Sequence, residues 1–199
     1  MTRLAILRHG HTGWNRAGRI QGRTDVPLDA EAVAELSALR LPAEWADADL
    51  FASPLQRARQ TATLISGRTP AVVDALIEMN WGQWEGQHGH DLAQDHGSGY
   101  LPIERWGWDY QPPGGETPSQ IWARLEPWLT SLRGDAVAVC HIGVMRVLLA
   151  QATSWDFASP CPFRIKRNRL YIIEVGTTLR LAAAEPERLV PAPAGEAAR

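Results

Sequence analysis

Short apolar runs alternate with amphipathic stretches along the chain, and each kind of run predicts an element. Residues 3–7 (RLAIL) read as a buried strand that opens at Arg8-His9-Gly10. Asp29–Leu41 predicts a helix with Val33, Leu36 and Leu39 on one face. Leu50–Ala52 is a brief strand ending at Ser53-Pro54, and Leu55–Ser66 a second helix with Leu55, Ala58, Ala62 and Ile65 spaced for burial. Ala71–Leu76 has the β-branched content of another strand. Thr117-Pro118-Ser119-Gln120 is a capping box with proline at the first helical position, and Ile121, Leu125, Trp128, Leu129 and Leu132 form the stripe of the helix it starts, with Pro127 as a point of bending. Asp135–Cys140 is a strand ending in His141, followed by an apolar helix over Val144–Ala152. Leu170–Val175 and Thr178–Ala183 flank Gly176-Thr177 as a hairpin.

Strands alternating with helices predict an α/β fold, a three-layer α/β/α sandwich whose sheet is mostly parallel, with an antiparallel edge strand from the last hairpin. Between Asn80 and Gly115 the periodicity disappears while Gly, Pro, Trp and three of the six His collect. A long excursion of this kind in a small domain is more often a functional lid than an idle loop. The expectation is therefore one domain over residues 1–184, with a lid insertion at 80–115 and a flexible tail over 185–199.

The 199 residues carry 20 Lys+Arg against 22 Asp+Glu, a formal net charge of −2. A general nucleic-acid binder or an anionic-membrane binder needs a basic excess, so any affinity for anions has to be local. Lys166 is the only lysine, and 9 Trp stand against 3 Phe and 3 Tyr. Two cysteines, Cys140 and Cys161, are too few for a disulfide framework, and no stretch has the pattern of a signal peptide or of a membrane span. These features predict a cytoplasmic protein; a homodimer is left open.

Arg8 and His9 follow the first strand, Arg57 opens the helix after Ser53-Pro54, Glu78 follows the Ala71 run and His141 follows the Asp135 strand. Two guanidiniums can grip a phosphoryl group through N–H forks that stay charged at any working pH. A neutral imidazole is a competent nucleophile toward phosphorus so held, and neighbouring arginine charge keeps it unprotonated. A carboxyl beside a phosphate dianion has a raised pKa, which suits Glu78 to protonate the leaving oxygen, while a protonated His141 stabilises charge on the equatorial oxygens.

In sequence order, LRHGHTGWNRAGRIQGRTDVPL, SPLQRARQTA, IEMNWGQWEG, PPGGET and HIGVMR resemble the motif blocks of the histidine phosphatase superfamily, also called phosphoglycerate mutase-like. The resemblance implies that His9 is the phosphorylated histidine, Arg8 and Arg57 the phosphate clamp, Glu78 the proton donor and later base, and His141 the second histidine. It further implies phosphate or substrate contacts from Asn15, Gln21 and Gly22. The family usually has glycine directly after the second histidine, where this chain has Ile142, whose backbone N–H is still available for contact. His11 stands where glutamate or glutamine is common. The resemblance calls for no cofactor and no metal.

His9-x-His11 also imitates the metal pair of a (β/α)₈ barrel, but such a barrel needs about 250 residues. His88, His90 and His96 lack a clean ligand spacing and read as a solvated loop. Trp122 and Trp128 read as packing, while Trp81, Trp84, Trp106 and Trp108 either pack the excursion or stack on a leaving group. The excursion carries Glu85, Asp91, Asp95, Glu104 and Asp109 against Arg105 alone, so a second phosphate would meet no evident cation there. This favours a phosphomonoesterase acting on a small phosphorylated metabolite over a phosphoglycerate mutase. Alpha-ribazole phosphate is one candidate substrate, and an inactive binding module is the reading from another class.

Overall fold

The computed structural model of the protein describes residues 2–193. The elements run β1 (Thr2–Arg8), α1 (Gly13–Arg16), α2 (Ala30–Ser37), β2 (Leu39–Arg40), β3 (Asp49–Ala52), α3 (Gln56–Ser66), β4 (Ala71–Val72), α4 (Gly89–Gln94), α5 (Pro118–Ser131), β5 (Ala136–Cys140), α6 (Ile142–Thr153), β6 (Arg169–Val175), β7 (Leu179–Leu181), β8 (Glu187–Arg188) and β9 (Val190–Pro191). The main sheet has the order β4-β3-β5-β1-β6-β7, with β8 also on β6. Its first four strands are mutually parallel, and β6 joins β1 antiparallel, as do β7 and β8 to β6. The mostly parallel sheet with an antiparallel edge is the architecture that the strand–helix alternation predicts.

Side chains alternate across a strand, so each strand feeds two layers. Leu4, Ile6, Ala136, Ala138 and Cys140 pack with α5 and α6, whereas Ala5, Leu7, Val137 and Val139 pack with α2 and α3. The α5 capping box forms as read: Thr117 Oγ1 accepts from the Gln120 N–H at 3.1 Å, and Gln120 Oε1 accepts from the Thr117 N–H at 2.9 Å. Helix α5 continues through Pro127. Trp81 and Trp84 are buried in the layer on the α5–α6 side, with Trp106, Trp108 and Trp122 packed against it. Trp45 is buried in the other layer, its indole N–H donating to Glu187 at 3.0 Å.

Four predicted elements differ from the observed ones. Helix α2 stops at Ser37, because Leu39–Arg40 leaves it to pair with Val190–Pro191, and it buries Ala32 and Leu36 while Val33 is 39% exposed. The Ala71 strand ends at Val72; Asp74–Leu76 turns as a 3₁₀ segment that buries Leu76. Helix α6 starts at Ile142, directly after His141. The tail expected to be flexible from residue 185 is docked as far as the description reaches. β8 and β9 pair with β6 and β2, and Leu189 is buried in the α2–α3 layer. The chain regains hydrogen bonds there because β6 and β2 each present an unpaired edge. Residues 194–199 lie outside the described residues.

Leu189→Ala therefore removes a core side chain. It should lower unfolding stability by ~2–4 kcal/mol in urea titration, whereas a change below about 0.5 kcal/mol would mean that the segment is not docked.

Candidate active site

Parallel pairing places three strand ends on one rim. Arg8 lies opposite Cys140, and Ala52 lies opposite Val139. The ladder continues one step beyond the strands, with His9 N–H donating to Cys140 O at 3.0 Å and Ser53 N–H to Val139 O at 3.1 Å. His9, Ser53 and His141 therefore emerge side by side. The His9 and His141 rings lie 5.1 Å apart, tilted by 56°.

Hydrogen bonds select the tautomers. His9 Nδ1 faces Gly10 O at 2.6 Å, so the proton belongs on Nδ1 and the lone pair on Nε2. His141 Nε2 lies 2.7 Å from Ser53 Oγ, while its Nδ1 is buried without a partner among the described residues. With the Ser53 hydroxyl donating to Nε2, a neutral His141 still presents an Nδ1–H donor. Both imidazoles have pKa values well below the ordinary histidine range, primarily because burial penalises their charged forms. For His9, repulsion from His141 whenever that ring is protonated, and from the charges of Arg57, Arg167 and Arg8, adds to this effect. The arginine influence predicted on His9 is present but secondary, and His141 is neutral in the unliganded protein rather than protonated.

Glu78 is buried, with its pKa raised chiefly by that burial. Hydrogen bonds from Met79 N–H (2.8 Å) and Gly143 N–H (3.0 Å), and the charges of Arg57 and Arg8, pull the other way. A side chain at Gly143 would collide with the Glu78 carboxylate. The close backbone approach thus falls one residue after Ile142, which is half-buried and lines the cavity instead. The Glu78 segment is held from outside by α5. Arg124 donates to Ala75 O, to Ile77 O at 2.7 Å and to both oxygens of Glu116, at 2.9 and 3.2 Å; Glu116 Oε2 accepts from Asn80 N–H at 3.2 Å. Glu116 is therefore part of a brace spanning both sides of Glu78.

Arg57 is fully buried, and its fork is engaged: Nη1 donates to Thr24 O at 2.9 Å and Nη2 to Gly22 O at 2.6 Å. What it leaves unpartnered among the described residues is Nε. Arg8 Nε is likewise buried without a partner among the described residues, and burial pushes the Arg8 pKa down to about 10. Gln21 Oε1 accepts from Thr12 Oγ1 (3.0 Å) and Asn15 Nδ2 (3.1 Å), leaving Gln21 Nε2 as a further buried donor with no partner among the described residues. Arg8, His9, Asn15, Gln21, Glu78 and Ile142 face one cavity of about 150 Å³, whose wall also includes Trp81. Gly22 does not line it; it closes against Trp81 and Glu85, where a Cβ would fall 3.0 and 2.7 Å from the nearest atoms. A surface groove of about 650 Å³ between α5, α6 and the β6–β7 turn is larger but shares none of these side chains.

Sequence reading missed three supports. Arg167 donates to His9 O, to Gly10 O at 3.1 Å and to Asn15 Oδ1 at 2.9 Å, and burial pushes its pKa down to about 9. Thr61 Oγ1 accepts from Gly10 N–H at 3.0 Å, and Ser53 orients His141. Arg167 sits in an aperiodic loop with no pattern to flag it; Ser53 was visible only as a strand end. His90 is exposed and bonds Gln94, and among the described residues no three His, Cys, Asp or Glu side chains are grouped to hold a metal ion.

Unpartnered donors of Arg8 and Gln21 face one cavity with the His9 imidazole and the Glu78 carboxyl, while Arg57 and His141 do not line it; a cavity so lined suits a tetrahedral oxyanion and the class of protein that handles phosphoryl groups. Comparison with known proteins agrees: the model of the histidine phosphatase superfamily (branch 1) matches residues 4–180, and the chain belongs to that family. It is 30% identical to the adenosylcobalamin/alpha-ribazole phosphatase of Salmonella typhimurium over 187 residues, 87% of this chain and 90% of that protein. It is 33% identical to a 2,3-bisphosphoglycerate-dependent phosphoglycerate mutase of a Methylobacterium species, over 75% of this chain and 80% of the other. Among solved structures, TTHB049 of Thermus thermophilus superposes with a TM-score of 0.73 at 31% identity, covering 94% of this chain and 99% of that one.

Removing the brace as Arg124→Gln should lower kcat on the order of 10²-fold, as for a reacting group misplaced by about 1 Å, with KM changed far less. A lowered melting temperature with unchanged kcat would mean that Arg124 serves only the fold.

Proposed function

We propose that the protein is a cytoplasmic, metal-independent phosphomonoesterase that hydrolyses a small phosphorylated metabolite through a phosphohistidine on His9. The observation that carries this reading is that, of the five buried side-chain polar atoms without partners among the described residues, four belong to the predicted site residues, Arg8 Nε, Arg57 Nε, Gln21 Nε2 and His141 Nδ1, and the fifth is Trp128 Nε1 on α5. Buried donors left unpaired are costly, and an oxyanion bound among them offsets that cost. The relative that this chain matches over 90% of its length carries a phosphatase name, which favours water as the final acceptor.

In this reading His9 Nε2 attacks phosphorus as the bond to the leaving oxygen breaks, and protonated Glu78 gives its proton to that oxygen. The Glu78 carboxylate then takes a proton from water, which attacks phosphorus. The P–N bond breaks, inorganic phosphate leaves, and His9 is neutral again. Arg8, Arg57 and the His141 Nδ1–H hold the equatorial oxygens, with Asn15 and Gln21 at the rim and Gly22 placing the Arg57 fork. A phosphate dianion beside His141 raises the pKa that burial had lowered, so protonation of this imidazole accompanies binding.

A second reading, phosphoryl transfer of the mutase type, is favoured by the mutase relative. Hydrolysis of p-nitrophenyl phosphate in EDTA, abolished by His9→Ala, is the expected result. Loss of turnover on chelation would contradict the metal-independent route, and efficient 2,3-bisphosphoglycerate-dependent mutase activity would contradict water as acceptor.

The pH dependence has a definite sign. Glu78 must be protonated to act as an acid and its pKa is raised, so kcat/KM on an alkyl phosphate should fall as the pH rises through that raised value. The His9 pKa is well below the ordinary value, so protonation of His9 imposes no loss near pH 6.5. Glu78→Gln should remove the alkaline limb and cost about 10²–10⁴-fold on an alkyl phosphate but much less on p-nitrophenyl phosphate, whose leaving group needs little protonation. An equal loss on both substrates would argue against Glu78 as the acid.

A further inference from the structure

At the residue directly after the second histidine this chain departs from the family pattern, and the side chain it places there is part of the reaction cavity. Ile142 begins α6 and lines that cavity together with Ile20 and Trp81. Its backbone leads straight to the acid, because the next N–H, that of Gly143, donates to Glu78 at 3.0 Å. Trp81 comes three residues after Glu78 and lines the same cavity. An alcohol that takes its proton from Glu78 therefore departs beside Ile142 and Trp81.

These side chains are held in place. Ile20 is tied to the excursion by two backbone bonds of 2.8 Å, its N–H donating to Gln87 O and its carbonyl accepting from Gly86 N–H. Trp81 is buried, with its ring edge-on to Trp106 and the centroids 5.6 Å apart. The polar side chains in the same lining are already committed. Asn15 Nδ2 donates to Gln21 Oε1 at 3.1 Å, while Asn15 Oδ1 accepts from Arg167 at 2.9 Å and from Thr12 N–H at 3.3 Å. Arg19 is exposed, and its Nη1 donates to Gly86 O at 2.8 Å. Arg8, His9 and Gln21 serve the phosphoryl group in the proposed reaction. What remains for the alcohol is a largely apolar surface, and a hydroxyl set against it loses water without gaining a partner.

We propose that Ile142 is a specificity-determining residue: its side chain takes an apolar face on the carbons next to the ester oxygen and selects against alcohols hydroxylated there. This deepens the phosphomonoesterase reading and rests on it. Glycine, the usual family residue at this position, would leave the space to water. A β-branched side chain fills it instead, and its stiffness at χ1 means that little rotamer freedom is lost when the alcohol makes contact. The selection acts on the polarity of the alcohol beside the breaking bond and needs no further charge on the substrate.

Propyl phosphate and glycerol 1-phosphate have the same carbon chain and differ by two hydroxyls. The wild type should favour propyl phosphate in kcat/KM by about 5–100-fold, the cost of a hydroxyl desolvated without a partner. Valine and threonine are alike in shape but differ by a hydroxyl, so Ile142→Val should hold that ratio within about threefold, whereas Ile142→Thr and Ile142→Gly should each lower it by about tenfold. A wild type that prefers glycerol 1-phosphate, or a ratio that is the same in the wild type, Ile142→Thr and Ile142→Gly, would overturn the proposal. Inhibition by butylphosphonate and 3,4-dihydroxybutylphosphonate reads the same contact without turnover. The apolar inhibitor should bind the wild type more tightly, with a smaller difference in Ile142→Thr; equal inhibition of the wild type by both would also overturn the proposal. Failure of the phosphatase reading appears separately, as absence of p-nitrophenyl phosphate hydrolysis in the wild type.

Discussion

The site depends on the parallel pairing of β5 with β1 on one side and β3 on the other. Those registers bring His9, His141 and Ser53 out at one rim, and each ladder is extended by a backbone bond at the step where the functional residue begins. In a parallel sheet successive carboxyl ends point the same way, so chemistry placed just after several strands converges without any long loop. The two layers of core on either face hold that register, because a slip by one residue would exchange Leu4 and Ile6 for Ala5 and Leu7. Packing and chemistry are thus linked through the same few strand residues.

Burial is the second constraint, and it shifts the proton affinities of the site. Desolvation lowers both histidines and raises Glu78, while Arg8 and Arg57 retain buried nitrogens with no acceptor. Arranged for stability alone, such groups would be paired or replaced by apolar side chains. Arg8, His9, Gln21 and Glu78 line one cavity, and His141 lies against His9 behind it, so an imidazole with a lowered pKa, a carboxyl with a raised one and oriented donors stand together. Fixed donors stabilise charge with little reorganisation, which explains why Arg167, Thr61 and the Arg124–Glu116 brace are spent on holding backbone.

Much of this was legible in the sequence. Apolar runs ending in Arg8-His9 and in His141 located two strand ends, and the capping box at Thr117 located α5 with its bounds nearly right. What could not be read has physical reasons. Periodicity put Val33 inside, but the chain turns at Leu39 to meet residues 190–191, and that pairing is a tertiary choice. A Pro/Ala-rich composition suggested a loose tail, whereas an unpaired sheet edge gives residues 187–188 partners. Its place in the SPLQRARQTA block marked Arg57 as a clamp but not that two carbonyls occupy its fork. Ile142 stands in the HIGVMR motif, yet its distance from Trp81 in sequence hides that they share a wall. Of the nine tryptophans, Trp81 alone lines the reaction cavity; most of the others pack the two layers.

The central claim is that His9 becomes covalently phosphorylated, and direct trapping tests it most simply. Rapid acid-free quenching during turnover of a phosphomonoester, followed by peptide mapping, should locate one phosphoryl group on the peptide containing His9. That label should be stable in base and labile in acid, and absent from His9→Asn. Phosphate found on a carboxylate or hydroxyl side chain, or undiminished turnover in His9→Asn with no labelled species, would contradict the account.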